Sequence, residues 1–233
     1  MTARRALGVD ACRAGWVGVV LDTSFSSASA PICVAATLVE LVAGASPNGR
    51  PDIVAVDMPI GLPDTSRRQA DVLARAQLGR RRSSLFMTPV RAALDEETHA
   101  RASAVNRDRA GEGISVQAFN LRPKLMEVEA FAVSGAYRVV EVHSEVSFAR
   151  LAGHPLPYAK KTPEGQRLRR SLLRQAGIRL VKPATVGLGV GLDDVLDAAV
   201  AAWSGRRVLL SEAVSLPDVP EVFTDGWSSA IWV

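Results

Sequence analysis

Cysteine is almost missing from these 233 residues: Cys12 and Cys33 are the only two. They cannot build a disulfide framework or a four-thiolate zinc site, and they read as small hydrophobes in a reducing compartment. Aromatic side chains make up 5% of the chain, too few to indicate a stacking platform for single-stranded bases. Trp16, Trp203, Trp227 and Trp232 are instead expected in the core. No apolar run comes near the ~20 residues of a membrane span, and the basic N-terminus lacks the apolar stretch of a secretory leader. A cytoplasmic location with no membrane partner is therefore expected. Neither an internal repeat nor a linker-like stretch interrupts the sequence. Residues 1–233 are expected to form one domain, large enough to bury a core without metal or disulfide.

Lysine is scarce as well, four of the 28 basic residues, so the net charge of +4 rests on arginine. Its distribution says more than its size. Between Asp64 and Arg91 seven arginines face only Asp64 and Asp71, and between Gly153 and Lys182 eight basic residues face Glu164 alone. The planar guanidinium fork suits phosphate oxygens, so both segments point to an anionic partner. Arginine-rich composition with solvated helix faces would explain them equally well.

The apolar pattern predicts an α/β protein. Ala6–Asp10 and Trp16–Asp22 are apolar runs joined through Ala14-Gly15, which reads as a β-hairpin. Ile32–Ala36 follows as a third strand, Leu38–Ala43 as a short helix, and Ile53–Asp57 as a continuous Val/Ile strand covered on both faces. Helices are expected over Ser66–Leu78 and, as one long element, Val116–Val133, so that roughly residues 64–135 form a helical insertion. A strand over Tyr137–Val142 leads to a short helix capped by Ser144. A basic helix over Glu164–Gly177 and an acidic, alanine-rich helix from Asp193 to about Ser204 complete the middle. Arg206–Ser211 is expected to begin the last strand region, and Phe223–Val233 closes the chain. The expectation is a mixed sheet of about five strands flanked by helices.

The chemistry lies in where the acids sit. Asp10 and Asp57 each end an apolar strand, Glu145 follows another, and Asp194 and Asp197 are three apart on one helix face. Carboxylates at the ends of buried strands are costly unless paired or bound to a cation. If several converge, a hard divalent ion relieves their repulsion, and oxygen-only ligands select Mg²⁺ or Mn²⁺. Two such ions about 4 Å apart would clamp the attacking and leaving oxygens of a phosphoryl transfer. Four of the acids in these stretches also have a plain structural explanation: Asp10 and Asp57 as loop caps, Asp193 and Asp194 as the N-cap and first-turn acid of a helix. Asp197, beyond the first turn, has none, and its neighbours Ala198, Ala201 and Ala202 would let that helix lie close on a sheet.

Five stretches resemble one family: Gly8-Val9-Asp10-Ala11-Cys12-Arg13-Ala14-Gly15-Trp16-Val17, Asp57-Met58-Pro59-Ile60-Gly61-Leu62-Pro63, Arg82-Ser83-Ser84-Leu85-Phe86, Glu141-Val142-His143-Ser144-Glu145-Val146-Ser147-Phe148 and Asp193-Asp194-Val195-Leu196-Asp197-Ala198. In order and at this spacing they are similar to the DUF429 family, usually described as predicted nucleases with a ribonuclease H-like fold. The family motif commonly has proline where this chain has Ser144. The resemblance implies hairpin, third strand, helix, fourth strand, helical insertion, fifth strand and final acidic helix. It implies catalytic and metal-binding roles for Asp10, Asp57, Asp194 and Asp197, a catalytic role for Glu145, and nucleic acid, DNA or RNA, as partner. Arg13, Arg82, Ser83, Ser84, Lys124, His143, Lys160, Lys161 and Arg167 match the pattern as candidate substrate contacts, with Gln117 and Glu127 facing the site.

The implied function is metal-dependent phosphodiester hydrolysis by two ions. A nucleic-acid-binding protein of the same fold without the chemistry is the alternative. An actin-like phosphotransferase would need two copies of the core, for which 233 residues without a repeat are too few. Gly187-Leu188-Gly189-Val190-Gly191 lacks both the dinucleotide fingerprint and a Walker lysine and reads as a flexible approach to the acidic helix. Self-association is left open.

Overall fold

The computed structural model describes residues 3–24, 29–46, 49–180 and 189–233. The Ser-rich stretch at 25–28, Lys182 and the Gly187-Leu188 part of the glycine-rich stretch lie outside them. One mixed sheet organises the chain: β1 (Arg5–Cys12), β2 (Gly15–Asp22), β3 (Ile32–Ala35), β4 (Ile53–Val56), β5 (Val139–Glu141), β6 (Ser215–Val222) and β7 (Ser228–Trp232), in the order β3-β2-β1-β4-β5-β7-β6. The first three strands form an antiparallel meander; β4 joins β1, β5 joins β4 and β7 joins β5 in parallel, and β6 returns antiparallel on β7. The sheet thus has seven strands where about five were expected. The shortfall lies at the C-terminal end, because β6, Ser-Leu-Pro-Asp-Val-Pro-Glu-Val, carries two prolines and exposed valines. An edge strand tolerates both, and neither reads as a buried strand in sequence.

Helices cover both faces. On one, α1 (Leu38–Gly44) brings Leu38, Leu41 and Val42, and α6 (Arg122–Val133) brings Leu125, Val128 and Phe131, against Leu7, Val9, Val54 and Val56. Thr37 caps α1 through a reciprocal bond with Glu40, the arrangement that satisfies two first-turn donors at once. On the other face lies α9 (Leu192–Leu210), with Val195, Leu196, Ala199 and Val200 packed on Val17, Val19 and Leu21. Beside it run α7 (Ser144–Ala152) and α8 (Pro163–Gln175). The chain between β4 and β5 carries α2 (Gln69–Gln77), a 3₁₀ turn (Gly79–Ser84), α3 (Arg91–Leu94), α4 (His99–Ala110) and α5 (Val116–Asn120) as well as α6.

Several boundaries differ from expectation. The single helix over Val116–Val133 is two, α5 and α6, broken at Leu121 with Pro123 in the first turn of the second. That is where proline is tolerated. Ser144 is the first helical residue of α7 rather than its cap; His143 holds the extended cap position. Arg206–Ser211 does not begin a strand: α9 continues to Leu210 and stops at Ser211, whose φ of 61° is left-handed. Nothing in Gly205-Arg206-Arg207-Val208-Leu209-Leu210 breaks a helix except a glycine, which close packing requires there. Trp16 is fully buried and Trp203 nearly so, while Trp227 and Trp232 are only half-buried.

Candidate metal centre

Alternation along two parallel neighbours builds the site. β1 and β4 pair in parallel with Gly8 beside Ala55 and Val9 beside Val56, and the Asp57 N–H continues the ladder onto the Val9 carbonyl at 2.9 Å. Leu7, Val9, Val54 and Val56 go to the α1/α6 side, so period two sends Gly8, Asp10, Ala55 and Asp57 to the α9 side. The third acid comes from α9, which can approach because β1 has no side chain at the crossing. A Cβ at Gly8 would lie 1.9 Å from the Ala202 nitrogen and 2.2 Å from the Ala198 carbonyl oxygen; at Gly205 it would meet Ala55 Cβ at 2.9 Å. The helix backbone therefore rests directly on the strand, and Asp197, one residue before Ala198, is carried to the strand ends. One carboxylate oxygen each from Asp10, Asp57 and Asp197 lies within 4.8 Å of the others.

Charge is concentrated there and only partly met. Asp10 and Asp197 are buried and Asp57 half-buried. Burial first, then the proximity of Asp57 and Asp197, holds the Asp10 carboxyl well above its ordinary pKa. Burial likewise pushes Asp197 up to about 7, against the opposing pull of Lys160. Lys160 donates from Nζ to Asp197 Oδ2 at 2.6 Å. Burial works against its ammonium, but Asp197, Asp10 and Asp57 overcome that and raise its pKa. Asp10 Oδ1 accepts the Ala11 N–H at 2.8 Å. Asp197 Oδ1 is buried with no hydrogen-bond partner among the described residues. A buried carboxylate oxygen without a partner, on one member of an oxygen-only cluster, fits a hard cation. These three residues could hold a metal ion; neither Asp194 nor Glu145 belongs to the set.

Asp10 and Asp57 line a cleft of about 490 Å³ that also reaches Ser84, Gln117, His143, Glu145, Lys160, Lys161 and Asp194, with Asp197 buried behind them. It lies beyond the carboxyl ends of β1, β4 and β5, where open α/β sheets place ligands. Asp194 is in the first turn of α9 and its Oδ2 accepts the Gly191 N–H at 2.9 Å: it caps the helix at the edge of the cleft. Glu145 is buried in a 2.6 Å pair with Arg169, with Arg81 at 3.7 Å. His143 Nδ1 is buried with no hydrogen-bond partner among the described residues, and Lys161 is exposed at the rim.

The other expected contacts lie off the cleft wall. Arg13 is exposed on the β1–β2 turn, and Arg82 and Ser83 point to solvent while Ser84 and Arg81 line the cleft. Lys124 stacks 4.3 Å over the Trp16 ring and pairs with Glu127 at 3.2 Å. Glu127 in turn accepts the Leu38 N–H, which ties both residues to the first turn of α1 and to Trp16. Arg167 is exposed and paired with Glu164.

Three residues absent from the expected set form the floor. Arg68, fully buried, donates to both oxygens of Glu141 at 2.8 Å and to Asp71 at 2.5 Å, and also to the Ile60 carbonyl and Ser229. Asp71 and Glu141 reach the cleft wall. Glu141 ends an apolar strand as Asp10 and Asp57 do, so the same rule could have flagged it. Arg68 had no signal of its own inside an arginine-rich segment.

A family model described as "Protein of unknown function (DUF429)" matches residues 8–222. No curated protein and no solved structure matches the chain.

Proposed function

For a chain that belongs to the DUF429 family, we propose metal-dependent hydrolysis of phosphodiester bonds in nucleic acid, on a ribonuclease H-like fold, with Asp10, Asp57 and Asp197 holding Mg²⁺ or Mn²⁺. The observation that carries this reading is the convergence of three carboxylates from the ends of β1 and β4 and from α9, one of which has an oxygen with no partner among the described residues. The order hairpin, third strand, helix, fourth strand, insertion, fifth strand, acidic helix supports the fold assignment; β6 and β7 extend that plan.

A bound divalent ion would supply Lewis-acid polarisation of the scissile phosphate and a lowered pKa for the attacking water. The chain's own residues do the rest. Asp10 and Asp57, fixed on adjacent strands, and Asp197, fixed by the glycine crossing, set the ligand geometry. His143, at the cleft wall, has one free ring nitrogen to accept or donate a proton. Lys161 at the rim and exposed arginines of α8 neutralise the substrate backbone. Arg167, Arg170 and Arg174 lie three to four residues apart, on one helix face. With Arg179 they line a groove of about 610 Å³ whose lining has no acid among the described residues.

Cleavage of DNA, RNA, hybrid and branched substrates with Mn²⁺ or Mg²⁺ tests the reading. Wild type should cut at least one of them, and Asp10→Asn and Asp57→Asn should each lose more than about a hundredfold, since even groups that merely support metal ligands cost up to that much. Activity surviving both substitutions would refute it. Binding with a steep salt dependence but no cleavage would instead favour the non-catalytic alternative.

A further inference from the structure

We propose that Lys160 stands in for a second cation, so that Asp10, Asp57 and Asp197 take one divalent ion per chain and not two. The inference rests on the metal-centre reading above and narrows it. Nζ of Lys160 sits 2.6 Å from Asp197 Oδ2, while the other oxygen of the same carboxylate has no partner among the described residues. Asp197 is thus divided: one oxygen is held by an ammonium and one is left for a metal.

The lysine is delivered by a fixed loop and not by a wandering surface chain. The Tyr158 carbonyl accepts from the buried Arg169 at 3.2 Å, and the Ala159 carbonyl accepts from both the backbone N–H and the hydroxyl of Thr162, the cap of α8. α8 itself presses on that loop: a Cβ at Gly165 would be 1.9 Å from the Ala159 oxygen. The Lys160 side chain is 36% exposed and its partner carboxylate 1%, so the charged head points inward from the rim.

Charge balance agrees. Three carboxylates and one ammonium leave two negative charges, which one divalent ion neutralises; a second ion would leave the centre positive. Most remaining acids of the cleft are already matched: Glu145 is held by Arg169 and Arg81, and Asp71 and Glu141 by Arg68, while Asp194 stands outside the triad with one oxygen on the Gly191 N–H.

Titration of the full chain with Mn²⁺ alone, followed by calorimetry and by the paramagnetic signal of free ion, counts the sites. Wild type should bind one Mn²⁺, Lys160→Arg should also bind one, and Lys160→Met should bind a second at least about tenfold more tightly than wild type does. Two ions on wild type, or a single ion on Lys160→Met with an unchanged far-ultraviolet spectrum, would overturn the inference and leave the metal centre standing. No Mn²⁺ bound by wild type or by either variant would instead overturn the metal-centre reading itself.

Discussion

Two groups of buried acids share one cleft and differ in how their charge is met. Around Arg68, every charged oxygen has a donor: Glu141 takes both guanidinium arms and the Ile60 N–H, and Asp71 takes Arg68 and the Thr88 N–H. Around Asp10, Asp57 and Asp197 the one ammonium bonds only Asp197, and the other Asp197 oxygen has no partner among the described residues. A satisfied ionic cluster is a structural part, costly only when broken. An unsatisfied one destabilises the fold, and such an arrangement is characteristic of a site kept for a ligand.

The largest effect should come from breaking the satisfied group. Arg68→Met would leave Asp71 and Glu141 buried and unpaired, a loss of about 3–5 kcal/mol. Chemical denaturation should show it as a large fall in midpoint or as a failure to fold. A substitution tolerated within 1 kcal/mol would mean that the network is not what joins α2 to β5.

Next comes the crossing that assembles the other group. Gly8→Ala drives a methyl into the α9 backbone and should cost about 1–3 kcal/mol. Because α9 must shift, Mn²⁺-induced stabilisation should shrink more than in an equally destabilised control made in the α1/α6 core. Equal shrinkage in both would detach the glycine from the site.

The smallest effect has the opposite sign. Asp10→Asn keeps an acceptor for the Ala11 N–H and removes one repelling charge, so in chelator at pH 8 it should stabilise the protein, within the roughly 0.5–2 kcal/mol of a single stabilising substitution. A carboxyl whose folded pKa is raised keeps a proton that the unfolded chain has lost. The wild type should therefore lose stability as pH rises from the ordinary carboxylate value of 3.8, a loss that for Asp197 is complete near 7. The advantage of Asp10→Asn should grow over that rise and fade below pH 4. Denaturant midpoints from pH 4 to 8 would show it; destabilisation at pH 8 would contradict the electrostatic picture of the triad.

The same contrast explains what the sequence disclosed. Hydrophobic period and terminal acids were enough to place β1, β2, β4 and α9 and to flag Asp10 and Asp57, because burial of an acid at a strand end is a local oddity; Glu145, Asp194 and Asp197 were flagged beside them without a way to rank the three. Whether Asp194 or Asp197 turns inward was not legible: both face the same side of α9, and only the close approach at Gly8 decides which turn of the helix meets the strands. Arg68 was invisible because its role depends on three segments far apart in sequence. The edge strand β6 was missed because an exposed edge needs no apolar pattern. Lys124 matched a family pattern, yet the fold uses it to cover Trp16.

A crystal soaked in manganese tests the central claim most directly. Anomalous scattering should show a peak bracketed by the carboxylates of residues 10, 57 and 197, within bonding distance of Asp197 Oδ1. A well-ordered cleft with no peak there, or a peak bound elsewhere while Lys160 and the three aspartates close on one another, would contradict it.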